Sequence, residues 1–209
     1  MGLHRLGAHS WLLAAPIFLA ANLTTGLAWR QPRFSWRTNN ISDLGNVTCG
    51  MWDTTRPREV CSPWHVAMNS AMISTGVLLA LGVLLTWSAL GPGIAARTVQ
   101  LLTLAGAGGY LLAGAYPADV NENKHFLGAI LIFFLANVGM LVAALARRSP
   151  VLTSMRHLSL TLGLVGLGGT ALFLAQIDPG IGVGVGGMER VAVLPLFIWT
   201  SAVAVRLAR

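Results

Sequence analysis

Ionisable side chains are scarce in this 209-residue chain, which carries seven Asp and Glu, fourteen Lys and Arg and five His. Those best placed for chemistry gather in four short runs. Asn39-Asn40-Ile41-Ser42-Asp43-Leu44-Gly45 sets amides and one carboxylate among apolar residues. Ser62-Pro63-Trp64-His65 leads into an apolar stretch, and Asn69 follows His65 by four residues, on the same helical face. Tyr116-Pro117-Ala118-Asp119 is followed by Asn121, Glu122 and His125, and Gly187-Met188-Glu189-Arg190 opens the last apolar stretch. Carboxyls and imidazoles under an apolar roof are the parts of an acid/base site. Burial penalises the charged carboxylate and makes a neutral acid available near neutral pH. The catalytic candidates are therefore Asp43, His65, Asp119, Glu122, His125 and Glu189. Asn40, Trp64, Asn69, Tyr116 and Arg190 are the candidates for holding a substrate.

Each run also has a plainer reading. Asp119 and Glu122 have the spacing of an N-cap and its N3 acid, and Ser62-Pro63 that of an N-cap and N1. His65 reads equally as an interfacial histidine bonded to a neighbour. Glu189 and Arg190 are adjacent and need not face each other, so one of them is free to pair with Asp43 or Asp119. A clamp tying the first loop to the helix mouths accounts for much of the pattern without catalysis. Asp53, Arg56, Arg58 and Glu59 read as a solvated loop, and His4, His9 and His157 as headgroup contacts.

The elements that must position these residues follow from composition. Apolar residues make up 55% of the chain and charged residues 10%, against the roughly 25% charged residues of a soluble domain. The surface therefore faces lipid. Disulfide miniproteins, disordered chains and coiled coils are excluded. Nucleic-acid binding is excluded too, because the excess of basic residues is scattered among apolar segments rather than gathered in a patch. Six apolar stretches approach the ~20 residues needed to cross a bilayer: Trp11–Trp29, His65–Leu90, Thr98–Tyr116, Phe126–Ala146, His157–Ile177 and Val191–Val205. No stretch alternates with period two, so helices rather than strands are expected. The expected fold is all-α: one domain over residues 1–209, a bundle of six transmembrane helices with a long polar first loop at about 30–64. The first stretch is read as a retained helix and not a cleaved leader.

Six spans put both termini on one face, here side A. The long first loop, Pro117–Lys124 and Asp178–Arg190 then lie on side B, with all seven acids. Lys and Arg divide evenly between the faces, but Arg147, Arg148 and Arg156 share one short side-A loop, with Arg206 and Arg209 at the end of the chain. The positive-inside rule thus favours a multi-pass protein of the cell membrane with cytoplasmic termini. Cys49 and Cys61 both lie in the first side-B loop, as a disulfide or as two free thiols. Gly182, Gly184 and Gly187 match G-x-G-x-x-G, but no strand precedes them, and they read as a flexible re-entry into the last helix. No zinc-finger spacing, H-E-x-x-H or G-x-S-x-G occurs, and neither a metal nor a cofactor is expected. Glycines at 106, 108, 109, 114, 163, 166, 168 and 169 mark tight helix contacts, and Asn137 is expected to hydrogen-bond across the bundle.

Three of the polar runs resemble, as a set, a bacterial and archaeal family of six-helix membrane proteins of unknown function. They are residues 39–45, Ser-Pro-Trp-His with Asn69, and Tyr-Pro-Ala-Asp with His125. That family is itself distantly similar to the Frag/DRAM/Sfk membrane proteins, which carry a comparable Ile-Ser-Asp run and a His opening a later helix. The resemblance implies the six-helix fold and an acid, amide and His cluster at one face, and no particular reaction. The segment Val47–Cys61 falls outside the family pattern.

Two functions fit. The first is a membrane-embedded enzyme acting on a lipid or isoprenoid, in its most concrete form a metal-free, protonation-initiated cyclisation or isomerisation. Asp43 or Glu189 would be the donor and His65 or His125 the base, with aromatic faces steadying cationic character. A hydrolase using the same groups is a close variant. The second is a non-enzymatic lipid-binding, sensing or transport-support protein, in which Arg37, Lys124 and Arg190 hold an anionic headgroup. Ion translocation fits less well, since no ionisable residue falls in mid-span. The expected partner is a membrane lipid or isoprenoid, and not nucleic acid.

Overall fold

The computed structural model describes residues 2–208. Six helices in it are long and apolar enough to cross a membrane. They are α1 (Leu3–Ala28), α2 (His65–Leu85), α3 (Ile94–Ala115), α4 (Glu122–Ala143), α5 (Arg156–Leu174) and α6 (Gly184–Ala208). A helix satisfies every backbone group within its own segment, as a lipid-facing span must. All six expected spans are present, with shifted ends. The largest shifts are at α1, which begins eight residues before Trp11, and at α6, which begins seven before Val191. Helical hydrogen bonding does not stop where the apolar stretch does, so hydropathy misplaces the ends. Pro16 and Pro195 lie inside α1 and α6.

Consecutive helices pack side by side, and α6 returns against α1 to close the ring. Large side chains fill its centre. Phe18 stacks on Phe197 with ring centroids 4.9 Å apart, and Tyr110 meets both rings at 5.6 Å. Two buried indoles find partners: Trp11 Nε1 donates to the Leu79 carbonyl and Trp199 Nε1 to Ser159 Oγ. At the α3–α4 contact the backbones nearly touch, since a Cβ on Gly109 would sit 2.6 Å from the Gly128 carbonyl. As expected, Asn137 bridges helices, donating to Ala192 O on α6 and Phe133 O on its own helix. Phe133 lies in a wide π-helical turn, Leu131–Ala136, and its carbonyl also accepts from Thr170 of α5.

The first loop is not a free tether. In its Ser42–Gly45 turn, Asp43, Leu44 and Gly45 are buried with Ile41 against the helix mouths. Beyond it, β1 (Gly50–Trp52) and β2 (Arg58–Val60) form an antiparallel hairpin, closed at its base by a Cys49–Cys61 disulfide. Gly184 starts α6 at φ +69°, and the Gly186 N–H donates to Arg37 O, so the loop backbone lies directly on the first turn of α6.

Candidate functional site

Three of the polar runs meet at a cavity. A space of about 330 Å³ opens between α4 and the end of α5. Its walls are Phe126, Phe133, Phe134 and Phe173, with Trp52 of the hairpin above and Asn40, Ser42, His125 and Glu189 at the inner end. Behind these a small recess of about 30 Å³ runs to Phe18, Tyr110 and Val193 in the core, sharing Ser42, His125, Phe133 and Glu189. Phe126, Phe134 and Leu174 at the outer rim are exposed, so in a bilayer this opening faces lipid. The volume falls within the ~300–1,000 Å³ of small-molecule sites.

Glu189 is held at this inner end with 4% of its surface exposed. Oε2 accepts from the Ile41 N–H at 2.5 Å, so the dipping turn of the first loop positions the carboxyl directly. His125 projects from the first turns of α4, and its Nδ1 lies 3.0 Å from the Tyr116 carbonyl. A carbonyl only accepts, so Nδ1 carries the proton, and Nε2 of the neutral ring keeps its lone pair. The Tyr110 hydroxyl is buried without a hydrogen-bond partner at the recess.

Asp43 lies outside this cavity and is fully engaged. Arg58 binds it bidentately, Nη2 to Oδ1 and Nε to Oδ2, both at 2.7 Å. Asn39 Nδ2 and the Asn40 N–H complete its coordination. Arg58 extends through Nη1 to Asp53 at 2.9 Å, so one guanidinium joins the turn to the hairpin. Burial works against the Arg58 charge, but the bonds and charges of Asp43 and Asp53 together outweigh this and raise its pKa. Burial likewise acts to raise the Asp53 carboxyl. The Arg58 side chain and the Thr55 and Arg56 amides outweigh it and hold the group below its ordinary value. Arg56 bridges Gln176, Asn40 and the Thr38 carbonyl. The residues read as a solvated loop are thus, in Arg56, Arg58 and Asp53, the pins of the latch. Glu59 remains exposed.

The other candidates are distributed around this latch. Asp119 Oδ2 accepts from the Val47 and Thr48 amides and the Thr48 hydroxyl, tying the α3–α4 loop to the first loop. The cap of α4 is instead Asn121, whose side chain accepts from the Lys124 N–H, with Glu122 exposed at the rim of the cavity. Ser62 does not cap α2, which begins at His65; its hydroxyl donates to Leu44 O, beside the Asn69 bond to Gly45 O. The loop turns back to the bundle at this point, and its carbonyls need donors more than α2 needs a cap. His65 Nδ1 faces Ser62 O, and Trp64 is exposed. Arg190 pairs with neither Asp43 nor Asp119. Its Nη1 gathers the carbonyls of Trp36, Asn39 and Gly186, and its guanidinium lies over the Phe34 and Trp36 rings. Lys124 lies over the Tyr116 ring.

Of the catalytic candidates, the structure brings Glu122, His125 and Glu189 to one cavity, with Asn40. Asp43, Asp119 and His65 lie elsewhere. Tyr110, Ser42 and Trp52 were not among the candidates. Tyr110 carried a signal, as one of two tyrosines in the chain and a phenol inside the third apolar stretch. Among the described residues no three His, Cys, Asp or Glu side chains are grouped so as to hold a metal ion.

No curated protein and no solved structure matches the chain. A family model does, over residues 12–206, and the chain belongs to that family, described as a protein of unknown function, DUF998.

Proposed function

We propose that this chain is a membrane-embedded enzyme that isomerises or cyclises an isoprenoid or related lipid by proton transfer, with Glu189 as the acid. The observation that carries this reading is a buried carboxyl beside an imidazole at the inner end of an aromatic cavity open to lipid. An apolar chain enters from the bilayer without crossing water. The Glu189 O–H gives its proton to an alkene carbon: the π pair becomes the new C–H bond and the O–H pair stays on the carboxylate. The resulting cation lies among Phe18, Tyr110 and Phe133, whose ring faces attract positive charge. A second alkene closes a ring, or none does. His125 Nε2 then takes a proton from the carbon next to the cation, and that C–H pair forms the new double bond. Atoms and oxidation level balance, and the proton returns from imidazolium to Glu189. Asn40 and Ser42 orient the polar end of the substrate. Asp43 and Arg58 act through the loop, keeping the Ile41 N–H on Glu189. The same reading places the protein in the cell membrane with side A, bearing Arg147, Arg148 and Arg156, in the cytoplasm.

The test compares organic extracts, by untargeted mass spectrometry, from cells holding equal folded amounts of wild type, Glu189→Gln and His125→Gln. A wild-type product should fall at least about 100-fold in each variant, the usual worth of a positioned acid or base. Undiminished product from Glu189→Gln removes Glu189 as the donor. Identical extracts from wild type and vector control would instead favour lipid binding without turnover.

A further inference from the structure

A concavity larger than the Glu189 cavity lies elsewhere in the protein. A space of about 820 Å³ sits at the side-B end of α1, bounded by Gly26, Leu27 and the first residues of the long loop. Its walls carry three guanidinium groups, Arg30, Arg33 and Arg37, and no carboxylate. Trp29, Phe34 and Trp36 are the aromatic part of the same wall. Arg30 and Arg33 make no side-chain hydrogen bond or ion pair among the described residues. Their backbones pair with each other, which keeps the two side chains at one tight turn. Arg37 alone has a partner, Asp178, in an exposed pair at 2.8 Å that an incoming anion can replace at little cost.

A second observation points the same way. Trp29 is 2% exposed, yet its indole N–H, a donor that can only be satisfied by an acceptor, has none. A buried donor without a partner is costly, and two unopposed cations beside it, with a third held only by an exposed pair, leave the space short of both acceptors and negative charge. A phosphate group supplies both, with oxygens matched to the planar fork of arginine. Leu27, on the last turn of α1, is exposed at the same rim, so an acyl chain can descend along α1 while the headgroup stays in the cavity.

We propose that this cavity is a binding site for the phosphate of an anionic ligand at the membrane interface, held by Arg30, Arg33 and Arg37. The site does not depend on the chemistry assigned to Glu189. A phospholipid headgroup and a soluble phosphate ester share the recognised group.

The experiment uses the full chain in nanodiscs of phosphatidylcholine, titrated with phosphatidylglycerol and, separately, with inorganic pyrophosphate, binding being read by native mass spectrometry and Trp fluorescence. Arg30→Gln/Arg33→Gln should weaken binding roughly thirtyfold, at the usual worth of two basic residues against an anionic surface. Arg30→Lys/Arg33→Lys, with its charge retained, controls for folding and should fall between wild type and the Gln pair. Selective uptake of phosphatidylglycerol supports the site with a lipid occupant. Uptake of pyrophosphate with no preference for phosphatidylglycerol supports it with a soluble one. Equal binding by wild type and the folded Gln pair overturns it, as does an absence of phosphate binding by the wild type.

Discussion

At the scale of single residues, the acid most conspicuous in sequence and the acid that faces the cavity are different. Asp43 stood out because it is a lone charge in an amide-rich apolar run, and the structure gives that charge a bidentate arginine and two amide donors. Arg58, its partner, was unreadable from the sequence, because it reaches Asp43 only after the chain between Cys49 and Cys61 has folded back as a hairpin. Glu189 was legible as an acid at a helix mouth, but its burial depends on the Ile41 turn, 148 residues away in sequence. This arrangement separates the two acids by experiment. Asp43→Asn takes from Arg58, whose side chain is only 10% exposed, its fully buried bidentate countercharge and leaves it the partly exposed Asp53. It should destabilise the fold by about 3 kcal/mol, as breaking buried pairs does. Glu189→Gln keeps the Ile41 acceptor and removes no paired charge, so it should change stability far less. Denaturant unfolding in detergent measures both, and equal losses would place Glu189 in the latch and not in the reacting site.

At the scale of elements, the six helices were legible and the hairpin was not. A span announces itself by some twenty apolar residues whose solvent is lipid, whatever their neighbours. Three-residue strands announce nothing, and β1 and β2 exist because a disulfide and Arg58 hold them. The hairpin carries Trp52 over the cavity, so its attachment governs access. Asp53 makes that attachment sensitive to acid. Its folded pKa lies below its ordinary value, so its contribution is fully present above the unfolded carboxyl value and is lost as pH falls through the lower, folded one. Acidification should therefore loosen the hairpin before the helices melt. Hydrogen exchange of the residue 50–60 amides, followed from pH 6 to pH 3, should show protection falling in this window (roughly pH 4 and below, on the ordinary carboxyl value). In Asp53→Asn it should be low throughout and flat with pH. An identical pH profile in the two proteins would show that another group controls the hairpin.

At the scale of the whole molecule, the ring of helices separates two chemistries by face. Side B gathers the latch, the acid cavity and the arginine-lined concavity. Side A holds short loops with unopposed arginines and none of the seven acids. The bundle is symmetric enough in hydropathy that lipid alone does not choose its direction, and orientation falls to the basic residues of short loops. The loop with Arg147 and Arg148 is the densest of these. The disulfide of the first loop calls for the opposite, oxidising side of the membrane. Both arguments favour the proposed orientation, with side A in the cytoplasm. Because the native cysteines are joined, a single new thiol reports its own position. Val120→Cys, on the exposed α3–α4 loop, should react with a membrane-impermeant maleimide in intact cells, or after opening only an outer envelope. Arg148→Cys should react only once the membrane itself is permeabilised. The reverse pattern would invert the molecule, expose the Cys49–Cys61 pair to cytoplasmic reductants, and require the latch to stand on Asp43 and Arg58 without it.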